Sequence, residues 1–249
     1  MLLSINLNKI ALLRNSRGSN YPNLEKFAIQ AIEEGAEGIT LHPRPDHRHS
    51  TSDDVINLSS IVKSLGAEFN IEGNPFEQSS GEYLGFYELI KLTNPTQATL
   101  VPDTLDQVTS DHGWKSGEHD EELKIIINSL LSHTNRVSLF IDPDLDSVKY
   151  AKSVQANSIE IYTEEYAKTF LKDSDKTNTI VESYKDIISF AKDNNLRVNA
   201  GHDLNLENLP LLRSLNLIDE VSIGHAVIID SLKYGFKETI NKYKNITKG

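Results

Sequence analysis

Short apolar runs alternate with longer amphipathic stretches along the whole chain. Most of the short runs, such as VSLFID and SIEIYT, stay apolar over several consecutive positions, which is typical of strands buried on both faces of a parallel sheet. The pattern predicts strands at Leu2–Leu7, Gly38–His42, Glu68–Glu72, Gln97–Val101, Arg136–Asp142, Ser158–Thr163, Leu196–Ala200 and Glu220–Gly224.

The amphipathic stretches predict the helices. One stretch has Asn23 as its predicted N-cap and Gly35 just beyond its end; a second starts at Asp53 or Asp54 and stops before Gly66. Further helices are predicted at Glu121–Leu131, at Ile180–Asp193 and from about Ile228 to Lys244, with an extra helix or lid at Tyr166–Asn178.

Alternation of strands and helices over the whole length predicts βαβ units and a parallel sheet. About eight units in 249 residues suit a closed barrel, so we predict one α/β domain over residues 1–249, a (β/α)₈ TIM barrel with additional helices. A doubly wound open sheet is the alternative. An open sheet of this kind would normally carry a glycine-rich fingerprint after its first strand, and the segment NLNKIAL at that position contains no glycine. A basic loop is predicted after the first strand instead.

Composition narrows the classes of function. The absence of cysteine excludes disulfides, thiolate catalysis and cysteine-ligated zinc. The net charge of −11 argues against nucleic acid as the main partner, yet a local basic cluster could still hold a small phosphorylated ligand. No stretch approaches the roughly 18 apolar residues of a membrane span, and the first residues lack signal-peptide features, so we expect a cytoplasmic protein without a membrane partner.

Polar side chains gather where the predicted strands end, which is where barrel enzymes carry their active sites. They are Asn6, Asn8, His42, Glu72, Glu160, Thr163, Asn199, His202 and His225. Histidine can pass protons in either direction near neutral pH, although a single histidine in such a place is more often structural. Burial beside the run FNI would raise the pKa of Glu72 into a range useful for proton transfer; a buried salt bridge to Arg44 is the alternative.

Two regions suit phosphate. In the loops after strands 7 and 8, AGHDLN and IGHAVI, a Gly-His pair precedes a predicted helix N-terminus, whose backbone N–H groups bind anions. The second region is basic and contains Arg14, Arg17, Arg44 and Arg48, with a solvated charged loop as the alternative. The long polar segment after strand 4, which holds Trp114, is predicted to be a lid.

The segments NLNKIALLRNSRGSNYPN, EGITLHPRPDHRH, FNIEGNP, VNAGHDL and SIGHAVI follow one another over essentially the whole chain and resemble the pyridoxine 5′-phosphate synthase family. The resemblance implies a (β/α)₈ barrel assembled as a homo-octamer of dimers. It implies a transferase of vitamin B6 biosynthesis, which condenses 1-deoxy-D-xylulose 5-phosphate with 3-amino-2-oxopropyl phosphate to give pyridoxine 5′-phosphate, phosphate and water. No metal or organic cofactor is implied.

The same resemblance assigns roles to individual residues. His42 and Glu72 would be proton acceptors and His202 a proton donor. The aminoketone phosphate would contact Asn6, Arg17, Asp203, Gly224 and His225, and the deoxyxylulose phosphate would contact Asn8, Lys9, Arg44, His49 and Thr109.

The chain departs from the common family pattern at a few of these positions. Asn8 and Lys9 stand where many members have Asp-His, which weakens the roles of these two residues. The other departures leave the proton-transfer residues in place: Asp203 for a common Gly, Tyr162 and Glu164 for a common His and Gly, and Ser222 for a common Asn.

Two competing functions remain open. In the first, a metal-dependent hydrolase or epimerase would take its ligands from His42, His47, His49, Glu72 and His202. In the second, a catalytically inactive barrel would serve as a binding or scaffold protein, although the joint presence of His42, Glu72 and His202 argues against it.

Overall fold

Eight parallel strands close into a barrel in chain order, with the eighth strand pairing back to the first. The computed structural model describes residues 1–117 and 119–249. The predicted (β/α)₈ barrel is confirmed and the open sheet is wrong. The strands are β1 Leu2–Asn6, β2 Gly38–Leu41, β3 Glu68–Gly73, β4 Gln97–Leu100, β5 Arg136–Ile141, β6 Ser158–Tyr162, β7 Arg197–Gly201 and β8 Glu220–Ile223.

Helices follow the strands around the outside of the barrel. They are α1 Asn8–Asn15, α2 Leu24–Glu33, α3 Ser52–Ser64, α4 Phe86–Thr93, α5 Asp120–Leu130, α6 Leu145–Ser153, α7 Glu164–Phe170, α8 Ser174–Asp193, α9 Leu209–Arg213, α10 His225–Tyr234 and α11 Phe236–Lys248. In the described part of the chain, none of these helices is long and apolar enough to cross a membrane.

The helix caps confirm one prediction and correct another. The Asn23 side chain accepts a hydrogen bond from the Lys26 backbone N–H at 2.8 Å, as expected of an N-cap. For α3 neither aspartate is the N-cap. Thr51 is, because its hydroxyl accepts from the Asp54 N–H at 3.3 Å while the Asp54 carboxylate accepts from the Thr51 N–H at 2.8 Å. This reciprocal capping box satisfies two backbone donors at once.

Three other predicted segments differ from the structure. The basic loop predicted after β1 is helix α1, whose Ile10 and Ala11 are buried against the barrel. The single helix predicted near the end of the chain is divided into α10 and α11 by Gly235, which has a left-handed φ of 80°. The extra segment Tyr166–Asn178 contains most of α7 and the first turn of α8, rather than one helix.

The barrel interior contains a hydrogen-bonded polar layer beneath its carboxyl end. Thr99 donates to the Asn70 side chain at 2.9 Å, and Asn199 donates to Gln97 across the barrel at 3.1 Å. The aliphatic residues of the same strands point outward and pack against the helices, with Ile39, Ile71 and others fully buried. Hydrogen bonds of this kind satisfy much of the buried polar interior below the mouth of the barrel.

Candidate active site

A cavity of about 760 Å³ opens at the carboxyl ends of the strands. The structure brings all but one of the predicted site residues to its wall: Asn6, Asn8, Lys9, His42, Arg44, His49, Glu72, Thr109, His202, Asp203, Gly224 and His225. The exception is Arg17, which is exposed in the turn after α1 and does not line this cavity.

His42 and Glu72 face each other across the end of β2 and β3. The distance between Nδ1 of His42 and Oε2 of Glu72 is 3.7 Å, and both side chains are largely buried. The Asn6 amide donates to the same Glu72 oxygen at 3.3 Å. The His42 backbone N–H donates to Oδ1 of Asn8 at 3.0 Å, so Asn8 helps to place the histidine.

Burial moves the pKa of each group toward its neutral form. Burial and the nearby Arg44 guanidinium lower the pKa of His42 well below its ordinary value. Burial and the Glu160 and Asp103 carboxylates raise the pKa of Glu72 well above its ordinary value. Burial therefore favours the neutral forms of both side chains, which are a histidine that can accept a proton and a carboxyl group that binds its proton more tightly than a free one.

The alternative pairing of Glu72 with Arg44 is wrong, because Arg44 forms a buried salt bridge with Asp103. Asp103 was not among the predicted site residues. It lies just past β4, and the same preference for polar groups at strand ends could have found it. The basic cluster is also divided: Arg44 and Arg48 line the cavity, whereas Arg14 bonds to Asp54 on α3.

Glu160 of β6 is a second carboxyl group at the base of the cavity. It is 4% exposed, and its Oε2 has no hydrogen-bond partner among the described residues. Burial, together with Glu220, raises the pKa of Glu160 to about 8. Gly201 makes room for this side chain, since a Cβ at that position would lie 2.2 Å from Oε1 of Glu160. The sequence places Glu160 on the predicted sixth strand but carries no signal of its unpaired state.

His202 follows β7 in a strained backbone conformation. His202 and Asp203 both have left-handed φ values, of 82° and 57°. The Thr163 hydroxyl donates to the Gly201 carbonyl at 2.6 Å and also to the His202 carbonyl, which stabilises this turn. The imidazole packs against two aromatic rings that also contact each other, with its centroid 5.3 Å from that of Phe140 and 5.0 Å from that of Tyr162. Burial lowers the pKa of His202.

The structure confirms one of the two predicted helix N-termini and contradicts the other. After β8, α10 begins at His225 directly behind Gly224, and both residues line the cavity, which confirms the prediction. After β7 the prediction is wrong, because α9 begins only at Leu209 and is a single short turn. An anion at the β8 end would meet free backbone N–H groups and the positive end of the α10 dipole.

The predicted lid covers part of the cavity. Val108, Thr109 and Ser110 line it, and the Arg48 guanidinium donates to the Leu105 carbonyl at 2.8 Å and to the Gln107 carbonyl at 2.6 Å. Trp114 is buried instead of exposed in the loop, and its indole N–H donates to the Leu100 carbonyl at 3.0 Å. Glu118, in the same segment, lies outside the described residues.

The positions of the acidic and histidine side chains do not favour a metal-dependent hydrolase or epimerase. Within residues 1–117 and 119–249, no group of three or more His, Asp or Glu side chains is placed to hold a metal ion. His47 has a left-handed φ of 54° and does not line the cavity, so it is not directed at the other histidines. Burial and the Arg44 charge lower the pKa of His49 to about 3.

Comparison with known protein families identifies the family of this chain. Residues 3–249 match the family described as pyridoxal phosphate biosynthesis protein PdxJ. The chain belongs to this family. It is 44% identical over 242 residues to the pyridoxine 5′-phosphate synthase of Cytophaga hutchinsonii, covering 97% of this chain and 96% of the relative. It is 42% identical over 243 residues to the protein of the same name from Parabacteroides distasonis, covering 97% of each chain.

Solved structures agree with the fold of this PdxJ family member. The thiamine phosphate pyrophosphorylase of Pyrococcus furiosus superposes with a TM-score of 0.62 at 11% identity, covering 99% of this chain and 95% of that one. A monomeric form of phosphoribosylanthranilate isomerase from Thermotoga maritima gives 0.60 at 14% identity, covering 100% and 99%. At these identities the likeness concerns the barrel alone.

Proposed function

We propose that this chain is a pyridoxine 5′-phosphate synthase of vitamin B6 biosynthesis, which condenses 1-deoxy-D-xylulose 5-phosphate with 3-amino-2-oxopropyl phosphate. The products are pyridoxine 5′-phosphate, inorganic phosphate and water. The relatives from Cytophaga hutchinsonii and Parabacteroides distasonis carry this enzyme name. The observation that carries the proposal is that His42, Glu72 and His202 line one cavity together with cationic side chains.

Two parts of the cavity wall suit the two phosphates. Arg44 and Lys9 line one part, beside Thr109 of the lid, and would hold the deoxyxylulose phosphate. The N-terminus of α10 at Gly224 and His225 forms another part and would hold the aminoketone phosphate. Asn6, Asn8, His49 and Asp203 complete the proposed contacts. Arg17 lies away from the cavity, so its proposed role has no support within one chain.

The protonation states suit a condensation that must move several protons. An amine has to add to a ketone, water and phosphate have to leave, and a ring has to close. Neutral His42 is ready to accept a proton, because burial and Arg44 lower its pKa. Burial and the neighbouring carboxylates favour the protonated form of Glu72; the positive charge of an ammonium substrate would favour its carboxylate form, which can then accept a proton. His202 would return a proton to a leaving oxygen.

The direct test is incubation of the purified protein with both phosphorylated substrates in the presence of a chelator. We expect pyridoxine 5′-phosphate to appear by its absorbance and to be identified by mass spectrometry, without added metal or cofactor. His42→Asn should abolish the product. His47→Asn is the matched control, since His47 lies in the same loop but does not line the cavity, and it should retain activity. Wild-type protein that forms no product would defeat the proposal.

The assembly and location implied by the resemblance also remain proposals. Exposed apolar side chains on neighbouring helices α1 and α10, namely Leu12, Leu13, Ile229 and Leu232, support a contact between copies in a homo-octamer of dimers. Light scattering of the purified protein should give the mass of eight chains. A cytoplasmic location is proposed, and fractionation of cells that express the protein would test it.

A further inference from the structure

Asp103 is a buried carboxylate just behind the cavity wall. It is 1% exposed and lies after β4, where the lid segment begins. Its Oδ2 accepts hydrogen bonds from the Arg44 guanidinium and from the Ser110 hydroxyl, the latter at 2.7 Å. The Asp103 carbonyl accepts from the Asn74 amide at 2.8 Å, which fixes the backbone as well. Three separate segments of the chain therefore meet at this residue.

Arg44 is unusual for a residue expected to hold a phosphate, because it is itself only 2% exposed. One of its amino groups is bound to Asp103, the other makes a long hydrogen bond of 3.5 Å to the Thr104 carbonyl, and its Nε has no hydrogen-bond partner among the described residues. A planar guanidinium that is tied on one side can present its other N–H groups in a fixed direction. Without the aspartate, this buried cation would lose its salt-bridge partner.

His42 also lies next to this carboxylate. The distance from Nε2 of His42 to Oδ2 of Asp103 is 4.0 Å, while Nδ1 of the same ring lies 3.7 Å from Glu72. The imidazole therefore stands between two carboxyl groups, one on the cavity wall and one behind it. At 4.0 Å the Asp103 carboxylate makes no hydrogen bond to this ring, so the partner that it binds directly is Arg44.

We propose that Asp103 is a positioning residue of this site, which fixes the Arg44 guanidinium for the phosphate of the pentulose substrate. The inference rests on the proposed function. Asp103 does not itself line the cavity, so it would act through Arg44 and not by contact with substrate.

The test begins with Asp103→Asn, which keeps the shape of the side chain and removes its charge. We expect kcat/KM for 1-deoxy-D-xylulose 5-phosphate to fall roughly tenfold to a hundredfold, through a higher KM for this substrate, because a small misplacement of a binding group has an effect of this size. The KM for 3-amino-2-oxopropyl phosphate should change little. A merely structural defect would not separate the two substrates.

Two further variants distinguish the proposed role of Asp103 from a general loss of folding. Asp103→Glu retains the charge and should give a KM closer to that of the wild type than Asp103→Asn does. Asp106→Asn is the matched control, because Asp106 is an exposed acid in the same loop and should leave both KM values unchanged. Melting curves of each variant show whether the fold is intact.

A double-mutant cycle decides whether Asp103 acts through Arg44. In an Arg44→Gln background, Asp103→Asn should cause no further fall in kcat/KM for the pentulose phosphate. It should also raise the melting temperature relative to Arg44→Gln alone, because a buried unpaired carboxylate is removed. This arm remains informative if Asp103→Asn alone does not fold.

Two results would overturn the inference. One is wild-type KM values for both substrates in Asp103→Asn. The other is a fall of equal size for Asp103→Asn in the wild-type and Arg44→Gln backgrounds. Either result, with an active wild-type enzyme, would remove the role of Asp103 and leave the proposed function intact. An inactive wild-type enzyme would instead defeat the proposed function, on which the inference depends.

Discussion

The two ends of the barrel interior treat buried charge in opposite ways. At the amino-terminal end, Arg136 at the start of β5 forms a salt bridge with Glu68 at the start of β3. At the same end, Arg197 donates to the buried Glu220 at 3.2 Å. At the carboxyl end, Glu72 receives a hydrogen bond from an amide, and Oε2 of Glu160 has no partner in the described part of the chain.

The two ends therefore differ in whether a buried carboxylate has a cationic partner. A buried ion with a partner is stable but holds its proton state over a wide pH range, whereas an uncompensated one changes state easily. The carboxylates at the amino-terminal end support the barrel, whereas Glu72 and Glu160 at the carboxyl end, unlike Asp103 with its Arg44 partner, are suited to proton transfer.

The largest expected effect is on turnover. Glu72→Gln removes the proton-transfer group and should lower kcat by roughly 10²–10⁴-fold. Glu68→Gln, at the other end of the same strand, is the matched control and should leave kcat unchanged. Both variants should be assayed by formation of pyridoxine 5′-phosphate. Wild-type turnover in Glu72→Gln would show that the carboxyl end does not depend on this group.

The second effect is on stability. Arg136→Met leaves Glu68 and Glu220 without their shared cation and should lower the free energy of unfolding by about 2–3 kcal/mol, since both partners are only partly exposed. The folded fraction should keep its kcat. Urea unfolding measures the change, and Lys149→Met, which loses only an exposed pair with Asp146, serves as control. An equal loss in both variants would contradict the contrast.

The third effect is a change in the pH dependence of stability. The pKa of Glu160 is raised to about 8 in the folded state, so the folded protein holds a proton that the unfolded chain has released. Stability therefore falls as pH rises toward 8, by at most about 1.4 kcal/mol per pH unit for one group. Glu160→Gln should reduce this slope in urea unfolding.

The window for that measurement is set by the buried histidines. The pKa of His49 is lowered to about 3, so the unfolded chain binds the extra proton at acid pH and stability rises with pH up to about 6.5. Above that pH this contribution is complete, and the region from about 6.5 to 8 reports mainly on the carboxyl groups. An unchanged slope there in Glu160→Gln would show that Glu160 is already ionised.

The smallest expected effect is spectroscopic. Trp114 is the only tryptophan and follows the lid residues that line the cavity. Its backbone N–H donates to the carbonyl of Phe140, a residue of the cavity wall, at 3.0 Å. We expect substrate binding to change its fluorescence, and Trp114→Phe should abolish the signal. An unchanged spectrum at saturating substrate would show that the lid stays in place when ligand binds.

Most of the fold could be predicted from local pattern. Each strand begins and ends within one residue of its predicted bounds, because a run of consecutive apolar residues marks a buried parallel strand directly. Helix boundaries were less certain. The Thr51 cap and the break at Gly235 depend on hydrogen bonds and backbone angles that neighbouring residues can also satisfy.

The candidate site divides in the same way. The chain itself determines that His42, Glu72, His202 and His225 stand at strand ends, because strand periodicity fixes that position, and parallel strands bring their ends together. Tertiary structure alone decides which charges meet: Arg44 pairs with Asp103 and not with Glu72, and Arg17 stays outside the cavity. Pairing and burial depend on distances between segments far apart in the chain, and these distances set the pKa values on which the proposed chemistry depends.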